Sequence, residues 1–213
     1  MKPQPQGPET RRKLLDAAAA LYARNGVAAT TMRDIAAACG INAGSIYYHF
    51  FSKDDITQEI LDFGISCVID NVTGALAKLD PDSSFLLRFR TAIDSHIRAF
   101  KEFEDYTIAH LRIFKQVPDH VQERNVVFRD RYEMIWRELL EEGVRAGIID
   151  PSVNINAARL LLLGQMNWTI EWFVAGRDLS TEELVDLIAR LFLRGSMTST
   201  INRPGFSEEF MVQ

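Results

Sequence analysis

The chain has 213 residues, a formal net charge of −5 and 47% hydrophobic residues. A chain of this length and composition can bury a sizeable core, which argues against a disordered protein. No apolar run reaches the 18 residues of a membrane-spanning helix, and no apolar stretch follows the first basic residues, so we expect a cytoplasmic protein with no membrane partner.

The charge is unevenly distributed along the chain. Residues 1–55 contain seven basic and five acidic side chains, whereas the remaining residues contain 17 basic and 24 acidic ones. A mildly basic N-terminal part joined to an acidic body is typical of a small DNA-binding module attached to a domain with another kind of partner.

Apolar residues recur at spacings of three and four along the whole chain, which predicts nine helices and no sheet. The first four are expected at about residues 9–25, 32–39 and 43–50, and from residue 52 past residue 70. Gly26 and Gly40 end the first two helices, since glycine readily takes the left-handed conformation found at helix ends. Thr31 with Asp34, and the run from Ser52 to Asp55, predict the starts of the second and fourth helices.

Five further helices are predicted in the acidic part. Asp80-Pro81 is expected to open the fifth helix, and Pro118 to separate the sixth from a long seventh that ends near Gly147. The eighth is expected at about residues 156–175, and the ninth from the box at Ser180 to about residue 198. We therefore expect an all-α protein with a flexible tail (1–8), a helix-turn-helix DNA-binding domain (9–55), an effector-binding and dimerisation domain (56–199) and a C-terminal tail (200–213).

Two short helices joined by a tight turn at Gly40 are the helix-turn-helix arrangement, whose second helix lies in the major groove of DNA. After the apolar residues are assigned to the core, seven side chains of the second helix and its turn remain for DNA: Asn42, Ala43, Gly44, Ser45, Tyr47, Tyr48 and His49. The small residues would let the backbone approach base edges, and Tyr47, Tyr48, His49 and Lys53 are candidate contacts to phosphate or thymine methyl groups. Arg33 is the candidate for reading guanine, because its planar guanidinium can donate two hydrogen bonds to one base.

Residues 10–60 resemble the TetR family of bacterial transcriptional regulators. The resemblance rests on Thr30-Thr31, on the run Arg-Asp-Ile-Ala from Arg33, and on GxxxGSIYYHFxSKDD from Gly40 to Asp55. It implies a DNA-binding repressor, with the family's DNA contacts at Thr31, Arg33, Ser45, Tyr47, His49 and Lys53. Phe51 departs from the family, in which a polar or basic residue is common at that position.

The last two predicted helices are strongly apolar, and packing against a second copy would bury their surfaces. The sequence thus predicts a homodimer through these helices. The two DNA-binding domains, or heads, of this dimer would bind half-sites of a pseudopalindromic duplex operator about 34 Å apart.

A group of aromatic and polar residues in the predicted body is consistent either with ordinary core packing or with a pocket for a small hydrophobic effector. The candidate ligand-binding residues are Phe103, Tyr106, His110, Arg112, Phe114, Trp136, Gln165, Met166, Trp168 and Trp172, with Phe100 and Asn167 beside them.

The segment GQMNWTIEWF, followed by a short loop and LSTEEL, resembles a branch of the family that regulates lipid, steroid or aromatic catabolism and senses acyl-CoA thioesters. The resemblance implies an acyl-CoA effector near Trp168 and Trp172, with Arg112 or Arg177 facing its phosphates. A free aromatic or other hydrophobic small molecule is the alternative effector.

Two other functional classes are weighed against the repressor. An enzyme acting on CoA esters or aromatics is disfavoured, because no nucleophile–base motif, metal-ligand spacing or phosphate-binding glycine loop is present and the four histidines are scattered. A protein-docking or architectural module would bind DNA without sequence preference, if at all. No cofactor or metal is expected, and Cys39 and Cys67 are interpreted as reduced core thiols.

Overall fold

A computed structural model describes residues 7–196 of the chain. Within this range the fold is all α, as predicted, with eight α-helices and two short 3-10 helices. The α-helices are α1 (Pro8–Asn25), α2 (Met32–Ala38), α3 (Lys53–Leu76), α4 (Phe85–Glu102), α5 (Glu104–Ile113), α6 (Asp119–Arg145), α7 (Ile155–Trp172) and α8 (Thr181–Ser196), and the 3-10 helices are Ser45–Tyr48 and Phe114–Gln116. No helix among these residues combines the length and apolar character needed to cross a bilayer.

The predicted helix starts and stops in the N-terminal part are confirmed. The Asp34 amide donates to the Thr31 hydroxyl at 3.2 Å, and the Asp34 carboxylate accepts from the Thr31 amide at 2.8 Å. Ser52 and Asp55 exchange the same two bonds at the start of α3. Gly26 and Gly40 have positive φ angles of 78° and 67°, which glycine adopts readily, and the ψ of 167° at Gly26 is extended rather than left-handed helical.

Three predicted boundaries need correction. The expected helix 43–50 is only the single 3-10 turn Ser45–Tyr48. The fifth helix begins at Phe85 instead of Pro81. The Asp80 side chain closes a turn by accepting from the Asp82 amide. The helix starts only after Ser84, whose hydroxyl accepts from the Leu87 amide. The eighth helix ends at Trp172, before residue 175, and the predicted extension of the last helix to 198 lies partly outside the described residues.

The helices enclose two hydrophobic cores. The first, the head core, joins α1, α2, the 3-10 turn and the N-terminal half of α3, and α5 packs into it through Ala109 and Ile113. The second, the body core, joins α4, α6, α7 and α8 to the C-terminal half of α3. Helix α3 therefore contributes to both cores, and α5 lies between them.

The two cysteines differ in burial. Cys67 is buried in the body core, and its burial raises the pKa of the thiol to about 12. Cys39 is only partly buried, and its thiol lies 3.3 Å from the carbonyl oxygen of Lys13. Both are free thiols, and the core assignment holds fully for Cys67 alone.

Helices α3 and α5 touch at Gly64. A Cβ atom at this position would lie 2.6 Å from the carbonyl oxygen of Tyr106 and 2.9 Å from the Cβ of His110. Real Cβ atoms do not approach backbone this closely, so the absence of a side chain at Gly64 sets the separation of the two helices.

We expect Gly64→Ala to destabilise the protein by about 1–3 kcal/mol, because the added methyl group forces α3 and α5 apart. Gly74→Ala is the matched control in the same helix. No atom lies within 4 Å of a Cβ at that position, so the higher helix propensity of alanine should leave stability unchanged or raise it by up to about 1 kcal/mol. Urea unfolding of the two variants beside the parent measures both values, and equal stabilities for the two variants would contradict this account of the helix contact.

Candidate DNA-binding surface and effector cavity

The 3-10 turn after α2 presents two aromatic rings to the solvent. Ile46 and Phe50 are buried in the head core and fix the turn from below. Tyr47 and Tyr48, which lie between them in sequence, are 54% and 76% exposed. Phe51 is also exposed, so the surface of the turn is aromatic rather than charged.

The turn itself is held by Asn42. The amide side-chain oxygen of Asn42 accepts from the Gly44 amide at 3.0 Å, and its backbone carbonyl accepts from the Ser45 amide at 2.8 Å. These bonds hold Asn42, Ala43 and Gly44 on the exposed side of the head. Small residues at the front of the turn leave room for another surface to approach the backbone.

The remaining predicted DNA contacts surround this turn. Thr31 and Arg33 are exposed at the start of α2, and His49 is half-buried at the end of the turn. The amino group of Lys53 donates to the carbonyl oxygens of Val27 at 3.0 Å and Thr30 at 3.3 Å. Lys53 thus ties the start of α3 to the loop before α2, a positioning role that sequence reasoning missed.

A cavity of about 350 Å³ lies in the body beside α5. This volume is near the lower end of the range for small-molecule pockets. Apolar side chains from α3, α4 and α7 form one part of the wall, including Ile65, Val68, Phe100 and Leu163. The polar residues of the lining are His96, Thr107, His110, Arg112, Lys115, Gln116, Arg129, Tyr132, Glu133 and Asn167.

Some of the predicted ligand-binding residues line this cavity and others do not. His110, Arg112 and Phe114 line it, as do Phe100 and Asn167. Trp136 and Met166 are buried in the body core, whereas Phe103 and Tyr106 pack edge-on against Phe63. Gln165 is half-buried outside the lining, and Trp168 and Trp172 are 65% and 50% exposed on the outer face of α7.

Sequence reasoning missed several lining residues, notably His96, Arg129, Tyr132 and Glu133. His96 and Tyr132 are polar residues at buried positions of their helical patterns, which was the available signal. In the part of the chain that the structure describes, no three His, Cys, Asp or Glu side chains are grouped to hold a metal ion.

The inner wall of the cavity is polar but uncharged. The Nδ1 atom of His96 lies 2.5 Å from the hydroxyl of Tyr132, and the Nδ1 atom of His110 lies 3.0 Å from the Leu61 carbonyl oxygen. Burial lowers the pKa of His96 to about 3 and that of His110 to about 4. Burial also raises the pKa of the Tyr132 phenol, so all three groups are neutral near pH 7.

The rim of the cavity is cationic. Arg112, Lys115 and Arg129 lie there, and the guanidinium of Arg129 is 4.1 Å from the centre of the Phe114 ring. The carboxylate of Glu133 is paired at 2.8 Å with Arg159. The cavity therefore combines a neutral interior with an excess of positive charge at its edge, an arrangement suited to an apolar molecule with an anionic end.

Comparison with known proteins identifies the family. Residues 14–60 match the model for bacterial regulatory proteins of the tetR family, and residues 83–196 match the model for the tetracyclin repressor-like C-terminal domain. The chain belongs to the TetR family. The transcriptional repressor KstR2 of Rhodococcus jostii is 31% identical over 86% of this chain and 87% of its own length.

Solved structures of TetR-family regulators share the fold. The ketosteroid transcriptional regulator KstR2 of Mycobacterium tuberculosis has a TM-score of 0.78 at 21% identity, covering 91% of this chain and 97% of its own. AibR, solved in complex with isovaleryl coenzyme A and operator DNA, has a TM-score of 0.76 at 21% identity, covering 85% and 97%. These structures show the shared fold, whereas the matched family models make the protein a transcriptional regulator by family, and its relative R. jostii KstR2 is a repressor.

The two buried histidines make stability depend on pH. Each imidazole is neutral in the folded protein but takes up a proton in the unfolded chain below its ordinary pKa of about 6.5, so folding stability falls as the pH drops through this value. Between pH 7 and pH 5 the pair should remove roughly 3–4 kcal/mol of stability. Urea unfolding at several pH values measures the slope. His110→Gln should lower that slope by about half, and a slope unchanged in the variant would refute the assignment.

Proposed function

We propose that the protein is a homodimeric repressor that binds a pseudopalindromic operator and leaves it when an acyl-CoA thioester occupies the body cavity. The observation that carries this proposal is the position of the cavity: α5, which packs into the head core, also contributes Thr107, His110 and Arg112 to the cavity lining. A molecule in the cavity can therefore act on the orientation of the head.

The exposed 3-10 turn supports the DNA-binding half of the proposal. Tyr47, Tyr48 and the backbone of Ala43 and Gly44 form a protruding surface fixed by the buried Ile46. Thr31, Arg33, Asn42, Ser45, His49 and Lys53 surround it and complete the proposed DNA surface. Phosphate contacts position such a surface, and side chains in the major groove read the sequence.

The polarity of the cavity supports an acyl-CoA as effector. The apolar part of the lining from α3, α4 and α7 would hold an acyl chain, whereas Arg112, Lys115 and Arg129 would face the thioester's phosphates at the rim. The fold neighbour AibR was solved with isovaleryl coenzyme A, which is consistent with this class of effector. An uncharged aromatic molecule would use the interior but form no ion pair with the cationic side chains at the rim.

The outer faces of α7 and α8 support the dimer. Leu160, Leu161, Trp168 and Leu191 are all more than half exposed there, and Gly164 lies between the leucines and the tryptophan with no atom near a Cβ position. An apolar stripe of this size on two adjacent helices is typical of an interface, and a second copy would bury it. The two heads would then be held at a fixed separation.

We expect Arg33→Ala to weaken binding to a duplex from the protein's own upstream region by about 1–3 kcal/mol, because a bidentate contact to a base is lost. Arg145→Ala is the matched control. Arg145 ends α6, whose 27 residues extend about 40 Å from the end that contacts the head, so its removal should leave operator affinity unchanged. Fluorescence anisotropy at several salt concentrations measures both affinities. A protein indifferent to this duplex at low salt would contradict the proposal.

Release by the effector is tested in the same assay by titrating isovaleryl-CoA, octanoyl-CoA and free CoA. A bound thioester should lower operator affinity by about 5- to 150-fold, the usual range of coupling between two sites. If no acyl-CoA changes operator affinity but an uncharged aromatic compound lowers it, the proposed effector class is wrong and the proposed repressor function stands.

We expect Leu161→Glu to convert a dimer into a monomer of 24.2 kDa and to weaken operator binding by at least about 100-fold, because one head then binds without its twin. Val127→Glu is the matched control. Val127 is 71% exposed on α6, against 72% for Leu161, so both substitutions place a charge on an exposed apolar site. Light scattering after size exclusion measures the mass, and an unchanged dimer in Leu161→Glu would rule out this interface.

A further inference from the structure

The side chain of Arg112 contacts three parts of the molecule at once. Its Nη1 atom donates to the carbonyl oxygen of Ala23 in the last turn of α1 at 2.6 Å. Its Nη2 atom donates to the two carboxylate oxygens of Glu171 in the last turn of α7 at 3.0 and 3.3 Å. The same residue lines the rim of the cavity. We refer to the bonds to Ala23 and Glu171 as the Arg112 bridge.

The bond to Ala23 is well placed to fix the head. Ala23 is among the last four residues of α1, whose carbonyl groups have no donor within the helix, and Tyr22 beside it accepts from the Gly26 amide. A guanidinium at this end also interacts favourably with the negative end of the helix dipole. Arg112 thus holds the end of α1 against the end of α5.

An anion at the rim would compete for this guanidinium. Phosphate and carboxylate groups can accept two parallel hydrogen bonds from the planar guanidinium of arginine, and both partners are then charged, whereas the carbonyl of Ala23 is neutral and accepts one bond. Lys115 and Arg129 lie on the same rim and would attract the anion, whereas Glu171 would repel it. Glu133 is already paired with Arg159.

We infer that Arg112 reads the anionic part of the effector and couples it to the head. In the effector-free protein the Arg112 bridge holds α1 in the DNA-binding position, and an effector phosphate draws the guanidinium away from the Ala23 carbonyl and releases the end of α1. This inference rests on the proposed function and adds to it the group that senses the charge, so an uncharged ligand in the same cavity would bind without releasing DNA.

Three single variants test the bridge, each by operator affinity in anisotropy and by octanoyl-CoA affinity in calorimetry. Arg112→Gln should weaken effector-free operator binding by about fivefold or more, and octanoyl-CoA should then change it by less than about twofold. Glu171→Gln should bind octanoyl-CoA roughly 1.5- to 5-fold more tightly and still be released, because only the competing carboxylate is lost. Arg88→Gln breaks an ion pair of 3.1 Å between α4 and α6 away from the cavity, and should behave as the parent.

A neutral probe separates charge from occupancy. Octanoyl-pantetheine carries the acyl chain without phosphates, so it should bind the parent protein but lower operator affinity by less than about twofold. Release by octanoyl-pantetheine equal to that by octanoyl-CoA would overturn the inference, as would full release of Arg112→Gln by octanoyl-CoA.

The outcomes distinguish this inference from the proposed function. If the parent neither binds its operator nor responds to any acyl-CoA, the proposed function fails. In that case hydrogen exchange still tests the bridge, because Arg112→Gln should speed exchange of the amides at residues 24–27, and unchanged exchange would overturn it. Arg112→Lys retains the positive charge but lacks the planar fork that reaches Ala23 and Glu171 together, so it should give an intermediate result. Unchanged octanoyl-CoA affinity in Glu171→Gln would also count against the bridge.

Discussion

Helix α3 belongs to two cores at once, and this sharing is the constraint on which the rest of the structure depends. Ile56 and Ile60 pack in the head core, whereas Val68 and Val72 pack in the body core. A continuous helix transmits displacement along its axis, and close-packed interiors do not absorb it. Since α5 touches α3 at Gly64 without an intervening side chain, a shift of α5 must move α3 or open a gap between them. Displacements of the body are therefore coupled to the head through α3 and α5.

The distribution of charge around the cavity determines which end of an amphiphilic effector would lie inside it. His96, His110 and Tyr132 are neutral and deep, so an ionised group buried beside them would lose its hydration without gaining a counter-charge. Arg112 and Arg129 at the rim offer that counter-charge. An amphiphilic effector would consequently enter with its apolar end first, and its charge would come to rest where α5 meets α1.

The features that depend on short sequence spacing were predictable, and those that depend on the rotation of a helix were not. The boxes at Thr31 and Ser52 act within four residues, so their sequence suffices. The prediction of a helix over residues 43–50 was wrong, because burial of Ile46 and Phe50 is compatible with a single 3-10 turn as well as with a helix. On α7 nearly every face is apolar, and the sequence alone does not indicate that Leu162 points inward while Trp168 points outward. His96 of α4 and Tyr132 of α6 line the cavity together although they lie far apart in sequence, and local patterns do not reveal such a contact.

The two faces of α7 connect the proposed sensing and dimer functions. Leu163 and Asn167 line the cavity, whereas Leu161, Gly164 and Trp168 lie on the exposed stripe of the proposed interface. Glu171, one turn beyond Asn167, reaches Arg112 and through it the end of α1. A rotation of α7 that accommodates an effector would also turn the stripe toward or away from the partner subunit. In the proposed dimer, a ligand in the cavity would therefore affect the separation of the two DNA-binding domains by two routes, one through α5 within the same subunit and one through α7 to the partner subunit.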